Sequence, residues 1–336
     1  MNIHYFSGEE WEEQYVRGKL PGEAVTFHAG SLAAEPNLSD PAAEVLCIFV
    51  DSKVGAAELA RFPAVKLIAT RSTGFDHIDL AAATTSGVAV ANVPFYGEST
   101  VAEFAFGLIL ALSRRTIDAD ELVRSTGTFA QTNLRGFDLA GKTLGIVGCG
   151  HIGIHAIRIG NGFGMQVLGF DTHQDEALAR EHQFTYASLP ELLAQSDIIS
   201  LHVPYNAHTH HLINQENIGA IKKGAYLINT ARGAVVETDA LVAALKNGTL
   251  AGAGLDVLEE EGELNDEMAL LSAPHPNEAM LKIALENHYL IDHPRVIVTP
   301  HVAFNTKEAV ERIVDTTVEN ITSFVAGSPA NLVSAK

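Results

Sequence analysis

Residues 143–153 read TLGIVGCGHIG, a short apolar run followed by three closely spaced glycines. Thr143–Val147 has the composition of a buried strand, and a helical pattern follows the last glycine. In such a strand–turn–helix unit, Gly148 permits the tight turn, Gly150 leaves room for a pyrophosphate, and Gly153 lets the helix approach the strand. The free N–H groups at the helix N-terminus would face the phosphates. The stretch therefore predicts the dinucleotide-binding unit of a doubly wound parallel sheet.

A second strand ends at Asp171, 18 residues beyond Gly153. This spacing is close to the ~20 residues expected for a carboxylate that hydrogen-bonds the adenosine ribose hydroxyls. The same carboxylate repels a 2′-phosphate, and Thr172 and His173 provide no arginine to bind one. We therefore predict that the cofactor is NAD rather than NADP. His151 is predicted to lie at the helix start near the pyrophosphate.

The composition is that of a globular protein, with 336 residues, 47% hydrophobic and 19% charged side chains. This length favours two domains. The net charge of −19 disfavours nucleic acid and membrane surfaces as partners, because both are anionic. Two cysteines do not suggest a disulfide framework. Met1–Glu10 lacks the pattern of a signal peptide, and Val101–Leu112 is too short and too polar at Glu103 for a membrane span. We expect a cytoplasmic protein.

Runs rich in Val, Ile and Leu alternate with helical patterns along the whole chain, which is typical of βαβ units. They form two sets. The sequence therefore predicts an α/β fold of two doubly wound parallel-sheet domains, a flavodoxin-like substrate domain and a Rossmann NAD-binding domain. The predicted strands of the first set are Asn2–Phe6, Val45–Val50, Leu67–Thr70 and Val88–Ala91. Those of the second are Thr143–Val147, Gln166–Phe170, Ile198–Leu201, Tyr226–Asn229, Gly252–Val257 and Val296–Thr299.

Two helices decide how the domains are delimited. A long apolar helix from about Thr100 to Ser113 is predicted to join them, and a last helix, Lys307–Val325, is predicted to return to the first domain. We therefore predict a discontinuous substrate domain of residues 1–99 and 302–336, and a NAD-binding domain of residues 100–301. A polar stretch, Ser125–Gly141, leads into the second set of strands.

Candidate catalytic groups follow three predicted strands, where ligands bind in doubly wound sheets. Arg232 can hold a carboxylate through two hydrogen bonds. His301 follows the last strand, and Asp256 and the run Glu259–Glu261 follow the strand before it. A carboxylate beside an imidazole raises the imidazole pKa towards the range useful for proton transfer. The pattern does not say which glutamate would pair with His301.

With these residues the chain resembles the D-isomer-specific 2-hydroxyacid dehydrogenases over nearly its whole length. The motifs that carry the resemblance are Arg71–Asp76, Asn92–Pro94, Val101–Glu103, Gly148–Gly153, His202–Pro204, Asn229–Gly233, Asp256–Val257 and Thr299–His301. The resemblance implies that Arg232 binds the substrate carboxylate and carbonyl, that His301 donates and accepts the proton, and that Glu261 pairs with His301.

The resemblance also implies a set of binding residues. Cofactor contacts are implied at Gly148, Gly150, His151, Ile152, Gly153, Asp171, Val203, Pro204, Thr209, Thr230, Ala231, Asp256 and Val101. Of these, Asp256 would contact the nicotinamide carboxamide. Substrate contacts are implied at Thr73, Gly74, Tyr96 and Phe304. The resemblance further implies domain closure around the substrate, and a homodimer formed largely through the helix after Thr100.

The D-lactate dehydrogenase branch is the most similar part of the family. The features in common are His151 in the glycine motif, Tyr96, Phe304 and an insertion between Glu261 and Asp292. We therefore expect reversible reduction of a small 2-keto acid, pyruvate to D-lactate. Alternatives are a glyoxylate or hydroxypyruvate reductase, and, in a different class, a non-catalytic NAD-sensing protein.

Two departures from the family pattern bear on this expectation. Gly262 stands where many members have proline, and Asp51 stands where the lactate branch tends to have an aromatic residue. A metal site is not expected, because His208, His210 and His211 lack a further ligand at suitable spacing and lie in a predicted surface loop and helix start. Apart from Glu261, the run Glu259–Glu261 is expected to be a solvated face.

Overall fold

The structure is a computed structural model that describes residues 1–7, 9–261 and 278–334. The chain forms two compact units, Met1–Tyr96 with Thr306–Lys336 (unit 1) and Gly97–Asn305 (unit 2). The sequence-predicted divisions, after residues 99 and 301, fall within four residues of these. None of the described helices combines the length and the apolar character that spanning a membrane would require.

Unit 1 is an α/β layer structure around one sheet. Its strands are β1 (Asn2–Phe6), β2 (Ala24–His28), β3 (Val45–Ile48), β4 (Leu67–Thr70), β5 (Ala89–Ala91) and β13 (Leu332–Val333). Its helices are α1 (Glu10–Lys19), α2 (Ala56–Ala60), α3 (Leu80–Thr85) and α11 (Lys307–Val325). The strand order is β13-β5-β4-β3-β1-β2. Strands β1 to β5 are parallel to one another, and β13 is antiparallel to β5. The order 2-1-3-4-5 of the parallel strands is that of the flavodoxin-like fold.

Unit 2 is built on a larger, wholly parallel sheet. Its strands are β6 (Thr143–Val147), β7 (Gln166–Phe170), β8 (Thr185–Tyr186), β9 (Ile198–Leu201), β10 (Ala225–Asn229), β11 (Leu250–Leu255) and β12 (Val296–Val298). Its described helices are α4 (Glu98–Arg114), α5 (Thr116–Thr126), α6 (His151–Gly162), α7 (Glu176–Glu181), α8 (Leu189–Gln195), α9 (Thr238–Asn247) and α10 (Glu278–Asp292). The order β12-β11-β10-β9-β6-β7-β8 contains the Rossmann order, with β12 added at one edge.

The sequence-based outline of the elements needs four corrections. The sheet of unit 1 also contains β2 and β13, and that of unit 2 also contains β8. A further helix, α5, which was not predicted, precedes Gly127 and includes the first two residues of the polar stretch that begins at Ser125. The missed strands are all edge strands of two to five residues, so they have little of the continuous apolar character that marks buried parallel strands.

Local signals fix several helix ends. Thr306 caps the N-terminus of α11, because its hydroxyl accepts a hydrogen bond from the Ala309 amide at 3.2 Å. Gly248 ends α9 in the left-handed conformation, at φ +75°.

The register of the unit 2 sheet determines where functional side chains can meet. Val147 is paired with Leu201, Leu201 with Asn229, Asn229 with Leu255, and Leu255 with Val298. All these strands are parallel, so their carboxyl ends lie in one row along one edge of the sheet. Ligands of doubly wound sheets bind outside that edge.

Candidate active site

The glycine turn after β6 has the close packing that the sequence predicted. Gly148 adopts φ +98°, where a side chain would be strained, and a Cβ there would lie 2.8 Å from the carbonyl of His202. A Cβ at Gly153 would overlap the carbonyl oxygen of Gly148. At Gly150, by contrast, the described residues other than the two flanking ones place no atom within 4 Å of a Cβ position. The turn therefore leaves open space at the Cβ position of Gly150, directly before α6 begins.

Asp171 lies beside this turn, directly after β7. One carboxylate oxygen accepts the Cys149 amide at 2.8 Å, and the other accepts the His173 amide at 3.0 Å. Because both bonds come from backbone N–H groups, the carboxylate is held at the end of β7 next to the glycine turn. The carboxylate oxygens of Asp171 could accept hydrogen bonds from the hydroxyl groups of an adenosine ribose bound there. His151 begins α6, its side chain is 71% exposed, and it lies 3.4 Å from Glu98.

The loop after β9 carries His202, Val203 and Pro204. His202 Nε2 lies 2.9 Å from the Ser200 hydroxyl, and burial lowers the pKa of His202 to about 4. The ring is therefore neutral near pH 7. Thr209 closes the loop, since its hydroxyl donates to the Pro204 carbonyl at 2.6 Å and accepts the Asn206 amide at 2.8 Å.

Arg232 is presented by a short turn at the end of β10. The Asn229 side chain fixes this turn, because its amide nitrogen donates to the Arg232 carbonyl at 2.9 Å and its oxygen accepts the Ala231 amide at 3.0 Å. Arg232 Nη1 donates to the Ala231 carbonyl at 2.8 Å, and the residue is half-buried. In the same turn Thr230 has a buried hydroxyl with no hydrogen-bond partner among the described residues. A buried hydroxyl in that state points to a bound partner such as a cofactor.

Asp256 follows β11 and holds the next loop in place. It is 1% exposed, and its carboxylate accepts the Thr299 hydroxyl at 2.5 Å and the amides of Val302 and Ala303 at 3.0 and 2.8 Å. Burial raises the pKa of Asp256, although these hydrogen bonds act in the opposite direction. The structure thus shows a loop-fixing role that sequence analysis missed. The expected contact with the nicotinamide stays a prediction.

The loop that Asp256 fixes presents His301. The His301 amide donates to the Asp256 carbonyl at 2.8 Å, and the residue adopts φ +52°. Its Nδ1 lies 2.6 Å from Glu261 Oε1, while Glu261 Oε2 accepts the Leu258 amide at 3.2 Å. Glu261 is thus the glutamate that pairs with His301. With Nδ1 bonded to a carboxylate, Nε2 is the ring atom that can exchange a proton with a substrate.

The substrate residues expected in unit 1 lie in ordered turns. The Thr73 hydroxyl donates to the Val93 carbonyl at 2.8 Å, and the Ser72 hydroxyl donates to the Gly74 carbonyl at 2.6 Å. The Tyr96 carbonyl accepts Arg312 Nε at 2.7 Å. Phe304, in unit 2, is half-buried, and Val101 is buried in α4. The binding roles of these residues stay predictions.

Four further expectations concern loops. Asp51 is exposed, and its carboxylate accepts the Ser52 hydroxyl at 3.3 Å. The segment with His208 and His210 forms turns without the expected helix start. The expectation that Glu259 lies on a solvated face is wrong, because its carboxylate bonds with His211 and Thr238 and the residue is only 9% exposed. Gly262 and the first part of the predicted insertion lie outside the described residues.

Comparison with known proteins identifies the relatives of this arrangement. Residues 106–303 match the family described as D-isomer specific 2-hydroxyacid dehydrogenase, NAD binding domain. The chain is 38% identical over 332 residues to 2-hydroxyacid dehydrogenase A of Aspergillus oryzae, covering 97% of this chain and 92% of the relative. It is 39% identical over 297 residues to a glyoxylate reductase of Thermofilum pendens, covering 86% and 80%.

The fold is also similar to that of solved enzymes. A crystal structure of D-lactate dehydrogenase from Aquifex aeolicus, complexed with NAD and lactic acid, superimposes with a TM-score of 0.88. The two sequences are 36% identical, and the match covers 100% of both chains.

Proposed function

The chain belongs to the D-isomer specific 2-hydroxyacid dehydrogenase family, and on that premise we propose that it interconverts pyruvate and D-lactate. As a member of the family it is an NAD-dependent oxidoreductase that acts on a CH–OH group. The observation that carries the proposal is the Glu261–His301 pair, at the same sheet edge as Arg232. The choice of lactate is supported by the full-length likeness to an enzyme solved with lactic acid.

The glycine turn, Asp171 and the buried Thr230 hydroxyl fit a bound NAD. In the proposed complex Gly150 and the N-terminus of α6 lie against the pyrophosphate, and Asp171 binds the ribose hydroxyls. The Thr230 hydroxyl would gain a partner in the bound cofactor. Bound NADH supplies the hydride that reduces C2 of the keto acid.

The protein side of the reaction follows from three groups. Arg232 binds the carboxylate of the keto acid and polarises its carbonyl, using the paired N–H groups of the guanidinium. Protonated His301 donates the Nε2 proton to the carbonyl oxygen as negative charge develops there. Glu261 at Nδ1 stabilises the protonated ring and fixes its orientation. In the oxidation of the hydroxy acid, neutral His301 accepts the hydroxyl proton.

The direct test measures NADH oxidation with pyruvate, glyoxylate, hydroxypyruvate, oxaloacetate and phenylpyruvate, and repeats it with NADPH. We expect pyruvate to have the highest kcat/KM of the five keto acids and NADH to be preferred to NADPH. In the reverse direction, we expect D-lactate but not L-lactate to be oxidised. A higher kcat/KM for another keto acid would overturn the lactate assignment. Tight NADH binding without turnover of any keto acid would favour the NAD-sensing alternative.

Glyoxylate reduction is the second candidate, and one observation favours it. The relative from Thermofilum pendens, 39% identical, is named a glyoxylate reductase. The same set of keto acids distinguishes the two candidate functions, because a glyoxylate reductase would turn over glyoxylate with a higher kcat/KM than pyruvate.

We also propose a cytoplasmic homodimer joined through α4. Leu110 on α4 and Ile117 on α5 are 36% and 50% exposed in the single chain. Such apolar side chains are common in subunit interfaces. Light scattering of the purified protein would give the mass of two chains, and the mass of one chain would refute the dimer.

Replacing Gly150 with alanine is expected to weaken NADH binding by about tenfold or more, with little change in thermal stability. The backbone has an ordinary φ of −74°, and within the described part of the chain no atom beyond the two flanking residues lies within 4 Å of the new Cβ. The methyl group would therefore disturb only the pyrophosphate. NADH fluorescence titration and Tm would be measured together. Gly162→Ala, at the other end of α6 and equally unobstructed, is the matched control. An unchanged NADH Kd in Gly150→Ala would contradict the cofactor placement.

A further inference from the structure

Glu259 is a buried carboxylate beside the catalytic pair that the proposed reaction does not use. Its Oε1 lies 2.7 Å from His211 Nε2, and its Oε2 accepts the Thr238 hydroxyl at 2.7 Å and the Thr238 amide at 3.3 Å. His211 comes from the loop after β9, and Thr238 is the first residue of α9. Burying a carboxylate is costly unless it is paired and hydrogen-bonded, and here both oxygens have partners.

The backbone around Glu259 is fixed as well. Its carbonyl accepts the side-chain amide of Asn287, which is 1% exposed on α10, at 2.8 Å. The next residue, Glu260, adopts φ +53°, a left-handed conformation that a non-glycine residue keeps only when its surroundings impose it. This turn sends the chain back so that Glu261 reaches His301.

The same segment lies against the turn that presents Arg232. A Cβ at Gly233 would overlap the backbone of Leu258 and Glu259. The His211 amide, in turn, donates to the Ala234 carbonyl at 2.8 Å. The Glu259 contacts thus connect three chain segments, those of His211, Arg232 and Glu261.

We propose that Glu259 is a positioning residue, whose bonds to His211 and Thr238 hold the loop that presents Glu261 to His301 and supports the Arg232 turn. The effect of Glu259 on catalysis rests on the proposed function. The negative charge is needed because a carboxylate accepts bonds from both partners at once, whereas an amide offers a donor to one of them. Without the charge, fewer hydrogen bonds stabilise the left-handed conformation of Glu260. The Glu261 carboxylate then moves away from His301.

The test follows the ring of His301 directly. Side-chain NMR of histidine-labelled protein without cofactor, at one fixed pH, gives the chemical shift of each hydrogen-bonded ring N–H proton, and His301→Gln identifies the His301 signal. The Nδ1–H proton of His301 resonates far downfield while a carboxylate accepts its hydrogen bond, because charge-assisted bonds are short and strong, so losing the carboxylate moves the signal upfield. Glu261→Gln sets the full size of this effect. We expect Glu259→Gln to give at least half of it, and kcat for the preferred keto acid to fall about tenfold, with NADH Kd within about twofold of wild type.

Glu260→Gln is the matched control, because it makes the same change in an exposed neighbour and should move neither readout. Thr238→Val removes one of the bonds and should move the Nδ1–H signal in the same direction by less, so the inference remains testable if Glu259→Gln does not fold. An unmoved His301 Nδ1–H signal in a folded Glu259→Gln or Thr238→Val protein overturns the inference, even if kcat falls. If the wild type reduces no keto acid while the Nδ1–H signal moves as expected, the proposed function fails and the positioning role stands.

Discussion

Replacing His301 with glutamine is expected to lower kcat for keto acid reduction by about 10²-fold or more, the usual size of general acid catalysis. Glutamine can still hydrogen-bond to the substrate oxygen, but it cannot deliver a proton in the transition state. Because the proposed role of His301 is proton transfer and not cofactor binding, NADH affinity should change little. Stopped-flow measurement of NADH oxidation, with saturating keto acid, would report the chemical step itself.

His208→Gln is the control for this change, since it makes the same substitution at an exposed turn position in the same unit. That variant should keep wild-type kcat. A kcat of His301→Gln within about threefold of wild type would remove His301 from the mechanism, given the magnitude expected for proton transfer. The Glu261–His301 hydrogen bond would then have a structural role only.

Replacing Arg232 with alanine is expected to reduce kcat/KM for the keto acid by about 10²- to 10³-fold, as for other losses of a group that stabilises a developing oxyanion. The loss combines weaker binding of the carboxylate with a less polarised carbonyl. Arg232→Lys keeps the positive charge but loses the planar pair of donors, so it should recover only part of the activity. The measurement is steady-state kinetics over a wide range of keto acid concentration.

A control variant distinguishes the specific loss of Arg232 from a general effect of removing one positive charge. Arg180→Ala removes a cation from an exposed position on α7 and should leave kcat/KM unchanged. If Arg232→Ala kept wild-type kcat/KM, the substrate carboxylate would have to be bound elsewhere, and the proposed orientation of the keto acid would be wrong.

Much of the site could be predicted from sequence because its signals are local. The glycine turn follows a buried strand within a few residues, and the ends of parallel strands necessarily meet at one sheet edge. Knowing that Arg232, Asp256 and His301 follow strands was therefore enough to place them together. The Glu261–His301 pair joins distant segments, and its assignment needed the family resemblance.

The environment of Glu259 could not be predicted in the same way. Three consecutive glutamates resemble a solvated face, and nothing local to them says that the middle residue adopts a left-handed conformation. That conformation turns Glu259 inwards to partners 21 and 48 residues away and leaves Glu260 exposed. The role of Asp256 was missed for a related reason, since its bonds go to amides of the loop around His301.

Unit 1 draws on both ends of the described chain, and this has a consequence for biosynthesis. Strands β1 to β5 leave the ribosome first, but Val314, Val318 and Ile321 of α11, which pack in one apolar core with Ile3 and Leu67, are made after all of residues 97–305. Until then, one apolar face of the nascent sheet lacks this cover. Exposed sheet surface of this kind promotes aggregation and recruits chaperones. Unit 2 is contiguous and can acquire its core during translation, so the first unit to be synthesised is the last that can complete its folding.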